Sequence, residues 1–572
     1  MASHTAARLA RLALERVGVR TTFGIPGVHT TELYDELGQS ELITPRLVTS
    51  EFSGAFMAEA TSRVGGSLGC LVLVPAAGLT HAASGIGEAY LDGIPLLVIT
   101  GGTRTDLPFR YQLHEVDQLE IAKGFTKAAF RVTTHAEVMP TIFEAARLAR
   151  RGTPGPVLVE LPVNLQLLTG EADDTLTFVP DAPPPLPPAE QLDRAAALLK
   201  ESLRPALFVG WGARHARLVP LAERLGAPVA TTLQGLASFP HDHPLHAGFG
   251  FGRSAVPAAQ HALGDHDCLL AIGTRFAEIA TGSFGIEPPK NLIHIDVDPA
   301  VLGANYPAAL GLVGDAAAIV DALLARLEPK PRRPNLEARL AGDKAAYASA
   351  FRAHPCPGRV NPARFFEALA ARQPADVITC VDDGNHTFLA AELWPVRAGG
   401  DFISPTDFNA MGYAVPAAIG AKLAHRDRAV QAIVGDGCLR MSGLELATAA
   451  AEQLGLVVWV FDDGELSQIA QAQSAPYNRK VCTVLPALDL AGLAQATGCA
   501  FVALREDADL EVGIAEALRL ASEGRPVLAQ VRVDYSRATA FTEGAIQTNL
   551  ARFPLGAKAR ILGRALWRRM TG

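Results

Sequence analysis

The sequence has no C-x-x-C pair. Its cysteines, Cys70, Cys268, Cys356, Cys380, Cys438, Cys482 and Cys499, are scattered and odd in number, which argues against a disulfide framework and for a reducing, cytoplasmic setting. No apolar run approaches the roughly 18 uninterrupted residues of a membrane-spanning helix. A basic excess is missing too: 51 Lys and Arg stand against 59 Asp and Glu, for a net charge of -8, with the cations spread along the chain. Nothing there offers an electrostatic footprint for nucleic acid, so a small-molecule partner is expected. The first twenty residues carry arginines and one acid, as a transit peptide would, but they run straight into the strand-like TTFGIPG. A folded first helix is the expected reading.

What is present is a 572-residue chain that is 49% hydrophobic and 19% charged, enough for several domains with sizeable cores. Two proline-rich stretches, 179–188 and 328–334, divide it. Proline blocks helix and ladder hydrogen bonds, so both read as linkers. The expected domains are 1–178, 189–328 and 358–534, followed by a basic tail, 535–572. Each domain alternates β-branched apolar runs with Ala/Leu-rich helical segments, for example GCLVLVPAAG, CLLAIGTRF and VQAIVGDG. Continuous apolar strands separated by helices predict an α/β fold of three doubly wound parallel sheets, with ligands at the carboxyl ends of the strands.

The sharpest motif lies in the third domain. Gly435-Asp436-Gly437 closes the strand VQAIV, a helix follows, and the next strand, LVVWVF, ends in Asp462-Asp463-Gly464. Neighbouring strand ends would bring Asp436 and Asp463 together as hard oxygen ligands for one Mg²⁺ or Ca²⁺, which would neutralise a diphosphate. Gly437 would let a backbone N–H approach phosphate oxygen. A G-D-G alone is as often a plain strand-ending turn, and the second acid pair is what tips the balance.

These segments resemble the signature of thiamine-diphosphate-dependent enzymes, and nearly the whole chain resembles the acetohydroxyacid synthase, pyruvate oxidase and oxalyl-CoA decarboxylase superfamily. The resemblance implies that Asp436 and Asp463 hold Mg²⁺, with the Glu465 carbonyl completing the set; Asp463 stands where the family has Asn. It implies that Gly384, Asn385 and His386 contact the diphosphate together with Gly435, Gly437 and Cys438. Backbone groups of Asn409 and Met411, in FNAMGYAVPAAIGAKLA, would contact the aminopyrimidine, and Met411 would hold the cofactor bent. Glu51, in LVTSEFSGAFMAEATSR, would be the catalytic carboxylate on the pyrimidine N1′. In the family this carboxylate serves the cofactor of another subunit, so a homodimer or homotetramer is implied.

On the substrate side, His29, His81 and His114 occupy loops where the superfamily places reacting groups. Each is open between proton transfer at the carbonyl carbon and a satisfied loop residue. Departures from acetohydroxyacid synthase are Ile279 for its acceptor-gripping arginine and Ala472 for its acceptor-pocket tryptophan. The expected activity is decarboxylation of a 2-oxo acid with carboligation. Action on a CoA thioester is the alternative, suggested by HEVDQ and by the basic tail with Arg568 and Arg569; a non-catalytic cofactor-binding subunit is the alternative of another class. Gly210-Trp211-Gly212 leaves FAD, ADP or nothing open in the central domain. In the tail, Arg552, Lys558, Arg560 and Arg564 interleave with Leu555, Ile561, Leu562, Leu566 and Trp567, which predicts a docked basic helix, with a lid over the active site as the alternative.

Overall fold

The protein is described by a computed structural model covering residues 2–571, apart from the side chains of residues 475, 561, 562, 565, 566 and 568–571. Each apolar run of the sequence forms a buried strand, and each domain carries one six-stranded, all-parallel sheet. In the first the strands lie in the order Thr44–Leu47, Thr21–Gly24, Gly69–Leu73, Leu96–Gly102, Pro156–Pro162, Ala128–Arg131. The third has the same winding, Asp401–Ile403, Ile378–Val381, Val430–Gly435, Val457–Phe461, Val527–Val531, Ala500–Leu504. Numbered along the chain, both sheets are ordered 2-1-3-4-6-5.

The central sheet is wound differently, as His246–Phe249, Val229–Thr231, Pro205–Val209, Cys268–Ile272, Asn291–Asp296, Leu310–Val313, or 3-2-1-4-5-6. The doubly wound parallel architecture therefore stands in all three domains. Residues 179–188 and 328–334 form no strand, and only the start of helix Ala189–Glu201 follows the first of them. The first helix forms as expected over Ala6–Arg16, where Thr5 accepts the Arg8 N–H.

The first and third domains share one apolar core. Phe23, Phe56 and Leu71 of the first pack in the same cluster as Tyr413, Val434 and Val460 of the third. Helix Glu51–Arg63 lies on helix Ala414–Ala424 so closely that a Cβ at Gly420 would sit 2.2 Å from the Met57 carbonyl oxygen. Small residues make this approach possible, and the apolar area removed from water there stabilises it by about 25 cal/mol per Å². Buried in the same junction, Arg63 pairs with Glu59 and with Asp92 at 2.6 Å.

The tail forms two helices. Ala540–Arg552 docks through Phe541, whose ring stacks on Phe388 at 4.0 Å, and through Gly544 against the backbone of Arg253 and Ser254. The helix Leu555–Thr571 lies beside helix Ser467–Tyr477. Leu555 and Trp567, expected on its packed face, are instead 84% and 64% exposed, so these two side chains keep most of their surface in solvent. Ile561, Leu562, Leu566, Arg568 and Arg569 fall among the side chains outside the described set. Among the described residues, no helix is long and apolar enough to cross a membrane.

Candidate functional site

In the third sheet the winding direction reverses between strands Ile378–Val381 and Val430–Gly435, and a crevice opens at their carboxyl ends, where doubly wound sheets bind ligands. A cleft of about 180 Å³ occupies it. The expected diphosphate residues Gly384, Asn385, His386, Gly435, Gly437 and Cys438 line this cleft together. So do Asn409, Met411, Asp436, Asp463 and Glu465. The segment after Asp436 is a broken helix, Asp436–Ser442, a 3-10 turn Gly443–Glu445, then Leu446–Ala451, and not one continuous helix.

Asp436 ties two strand ends together. Its carboxylate accepts the N–H of Gly437 at 3.0 Å and, from the neighbouring strand's loop, the N–H of Gly464 at 3.1 Å. Burial, with the charges of Asp463 and Asp462 added, pushes Asp436 up to about 7, and burial raises Asp463 as well. Two enclosed carboxylates this close favour a cation between them. Asp462 is turned to Gln530, which donates to it at 2.5 Å, so Asp463 is the acid facing the cleft. The Glu465 carboxylate is held by Lys480, leaving its backbone carbonyl for any cation. Among the described residues no three His, Cys, Asp or Glu side chains converge as a metal cage; the donor set is two carboxylates and main-chain oxygen, which suits Mg²⁺ held partly by phosphate.

The rest of the cleft fits a diphosphate. The His386 ring is buried with no partner on Nε2, and burial pulls its pKa down to about 3, so it is a neutral group with an unmet hydrogen bond. Gly384, at φ 148°, is needed where it stands: a Cβ would lie 2.7 Å from the His386 ring. A Cβ on Gly437 would meet Leu466 at 2.4 Å, and the Met411 methyl lies 3.6 Å from the same point, so Met411 reaches over the Gly437 turn. The Cys438 thiol donates to the Asp383 carbonyl at 3.1 Å. Asn409 is held at φ 61°, a left-handed conformation that costs energy away from glycine.

In the first domain, Glu51 begins its helix and is buried, with Oε2 3.3 Å from Nδ1 of the exposed His81. The helix that carries His81 starts after Ala76, which is held at φ 56°, ψ -82°. His29 is buried with Nδ1 unpartnered; its ring lies 5.3 Å from that of His114, and burial together with His114 lowers its pKa. Glu51 and His81 thus form one pair, and His29 and His114 another. No residue of 1–178 lines the Asp436 cleft of the same chain. Apolar side chains stand uncovered in the first domain, with Tyr111 92% and Phe109 69% exposed, and in the third, with Met441 and Ile469 exposed.

Ile279 lies in a short turn against the third-domain core, and Ala472 is exposed on helix Ser467–Tyr477; neither lines the cleft. Tyr535 lines it without any sequence signal. Asp382 also escaped the sequence reading: it is fully buried and accepts the N–H groups of Gly412 and Ala414 at 2.8 Å each. In the central domain, Gly210, Trp211 and Gly212 border a cleft at the strand ends, continuous through Trp211 and Gly273 with a cavity of about 510 Å³ whose rim carries Arg147, Arg150 and Arg151.

Comparison with known proteins gives three family matches. "Thiamine pyrophosphate enzyme, N-terminal TPP binding domain" matches residues 4–121, "central domain" 192–323, and "C-terminal TPP binding domain" 382–531. The acetolactate synthase large subunit of Corynebacterium glutamicum is 32% identical over 492 residues, covering 83% of this chain and 77% of its own. A probable acetolactate synthase large subunit of Methanocaldococcus jannaschii is 33% identical over 490 residues, covering 82% of each chain. The acetolactate synthase isozyme 1 large subunit of Escherichia coli is 30% identical over 532 residues, covering 91% of this chain and 92% of its own.

Proposed function

The chain belongs to the thiamine pyrophosphate enzyme family, and on that premise we propose that it makes or breaks a carbon–carbon bond next to a carbonyl, decarboxylating a 2-oxo acid and passing the product to an acceptor as an acetolactate-synthase-like carboligase. The observation that carries this reading is the single cleft in which the Asp436 carboxylate spans two strand ends beside Asp463 and the unpartnered His386. When bound, thiamine diphosphate supplies an electron sink for the carbon next to the carbonyl. Asp436 and Asp463 hold Mg²⁺ against the diphosphate, with the Glu465 carbonyl. His386, Asn385 and the Gly384, Gly435 and Gly437 backbone receive the phosphate oxygens, and Cys438 braces the turn. Asn409 and Met411 fix the pyrimidine end. Glu51 holds a proton at the pyrimidine nitrogen, and His81, His29 and His114 face the substrate as proton donors or acceptors.

A cleft of about 180 Å³ is smaller than the roughly 300 Å³ at which small-molecule sites begin, and it lacks a catalytic carboxylate. We infer that a second copy of the chain completes it: Glu51 of one subunit meets Asp436 of the other, and the apolar side chains around Tyr111 and Ile469 are covered in that homodimer or in a tetramer built from it. In place of the acceptor-gripping arginine and pocket tryptophan stand Ile279 and Ala472, so the acceptor is selected without a bidentate carboxylate clamp. In the central domain the sheet order 3-2-1-4-5-6 and the cleft at its strand ends are compatible with a nucleotide such as FAD or ADP, and equally with none.

The test is to supply purified protein with thiamine diphosphate, Mg²⁺ and pyruvate, and to search by mass spectrometry for acetolactate, acetaldehyde and acetoin. Cofactor-dependent product supports the reading. Binding of the cofactor without product from pyruvate or from larger 2-oxo acids moves the assignment to a CoA thioester, and absence of cofactor binding overturns it.

A further inference from the structure

Glu88 is fully buried in helix Ala77–Asp92 of the first domain and forms no ion pair among the described residues. Arg63, the cation whose charge reaches it, is engaged by Glu59 and Asp92. Burial, with the charge of Asp92 added, pushes the Glu88 carboxyl well above the usual carboxylate range, so the group is held by hydrogen bonds and not by an ion pair. Its donors are two backbone N–H groups of the third domain, Thr406 at 3.1 Å and Ala410 at 3.0 Å, one to each oxygen.

Those two residues are the feet of a short arch. Between them stand Asp407, Phe408 and Asn409, and Met411 follows immediately. The Phe408 ring lies directly on Gly87, where a Cβ would come within 2.5 Å of it, so the residue beside Glu88 is shaped to the same arch. Asp92 accepts the Asp407 N–H at 3.1 Å, and Arg63 donates to the Ser404 carbonyl at 3.1 Å. On the far side, Asp382 takes the N–H groups of Gly412 and Ala414. The arch is thus pinned from the first domain at its feet, from the central domain by Arg275 on the Asp407 carboxylate at 2.5 Å, and from the third domain beyond Met411. With both feet fixed, Asn409 is kept in its left-handed conformation, facing the cleft.

We propose that Glu88 is a positioning residue of the cofactor site: by clamping the Thr406 and Ala410 amides it preorganises the arch that presents Asn409 and Met411 to the bound cofactor. The proposal rests on the reading of that cleft as the thiamine diphosphate site. Preorganisation lowers the ordering cost of binding, so loss of the clamp weakens cofactor affinity more than it slows turnover by the loaded enzyme. Glu88→Gln keeps the shape but offers one acceptor oxygen in place of two, freeing one foot of the arch.

The experiment has two arms on the full chain. In the first, titration calorimetry with thiamine diphosphate and Mg²⁺ compares the wild type with Glu88→Gln, alongside kcat at saturating cofactor. An affinity lower by about tenfold or more, with kcat reduced far less, is expected when a buried amide loses its acceptor; affinity within twofold of the wild type overturns the proposal. A purely structural role would lower the melting temperature without this split. The second arm needs no variant: amide hydrogen exchange of the cofactor-free wild type must find Thr406 and Ala410 protected like strand Val430–Gly435. Free exchange at either amide overturns the clamp, even if the variant fails to fold. Failure of the wild type to bind the cofactor sinks the assignment of the cleft, while the exchange arm still decides whether Glu88 clamps the arch.

Discussion

The carboxylate of Glu445, fully buried in the third domain, accepts the backbone N–H of Thr49 at 3.0 Å, two residues ahead of Glu51. Thr448 donates to the same oxygen, Oε1, at 2.6 Å, and the Thr49 hydroxyl donates to Oε2. Glu445 follows the Asp436 helix by a single 3-10 turn, so the segment leading into the proposed catalytic acid is fixed to the element that carries the proposed metal ligand. Glu445→Gln weakens this hold by about 1.5 kcal/mol, the scale of a hydrogen bond to a charged group. Turnover is expected to fall about tenfold while thiamine diphosphate affinity changes little, as read by steady-state kinetics over a cofactor titration.

Glu51→Gln keeps the size of the side chain and its place at the head of the helix, but removes the proton-holding carboxylate. Turnover is expected to drop by about 10²- to 10⁴-fold, the range of general acid–base catalysis. Cofactor binding by calorimetry should persist, because the residues proposed to hold the diphosphate and metal, Asp436, Asp463 and His386, are left untouched. Unchanged turnover would refute the assignment.

Mixing two inactive variants tests the shared site. Glu51→Gln chains retain Asp436, and Asp436→Asn chains retain Glu51. If the two residues meet across a twofold interface, a mixed dimer holds one intact site, and random re-pairing restores about a quarter of wild-type activity. No recovery after subunit exchange, with mixed dimers shown to form, would refute a site shared across the interface.

Metal removal has a matching expectation. Asp436 and Asp463 repel each other in an enclosed setting, so a chelator should release thiamine diphosphate, and Mg²⁺ should restore it. Asp463→Asn keeps a hard oxygen ligand, and a loss of metal affinity of no more than about tenfold is expected. Asp436→Asn also disturbs the Gly464 tie and should cost more.

Glu392 supplies a pH test. It accepts the N–H groups of Ala540 and Phe541 at 3.1 and 2.8 Å and a hydrogen bond from Tyr347, anchoring the tail helix, and burial pushes its carboxyl from 4.5 up to about 7. A folded-state pKa above the unfolded value gives stability that is fully present below about 4.5 and is lost as pH rises through about 7. Glu392→Gln imitates the protonated form at every pH. From pH 5 to 8 the melting temperature of the wild type should therefore fall relative to the variant, by about 1–3 °C; parallel curves would show that Glu392 does not titrate in this window.

The strand-end loops were legible because each is a contiguous stretch of chain. Gly435-Asp436-Gly437 and Asp462-Asp463-Gly464 follow apolar runs that could only be buried strands, and strand pairing then sets Gly435 beside Phe461. The residues that brace these loops were not legible. Glu88, Asp382 and Glu445 act on backbone N–H groups distant in sequence, and a backbone donor leaves no trace in residue identity. The tail was read only in part: a helix forms, but Leu555 and Trp567 stand exposed, since apolar spacing alone does not say whether a neighbour arrives to cover them.

The sequence by itself determined three parallel-sheet domains and the family, because hydrophobic period and turn chemistry are local and repeat in each domain. Tertiary structure alone decided that Asp462 turns to Gln530, that Nε2 of His386 is left without a partner, and that no residue of 1–178 lines the Asp436 cleft of its own chain. These outcomes depend on which buried polar group finds a donor or acceptor across a domain boundary, and that is fixed only when the sheets and helices pack.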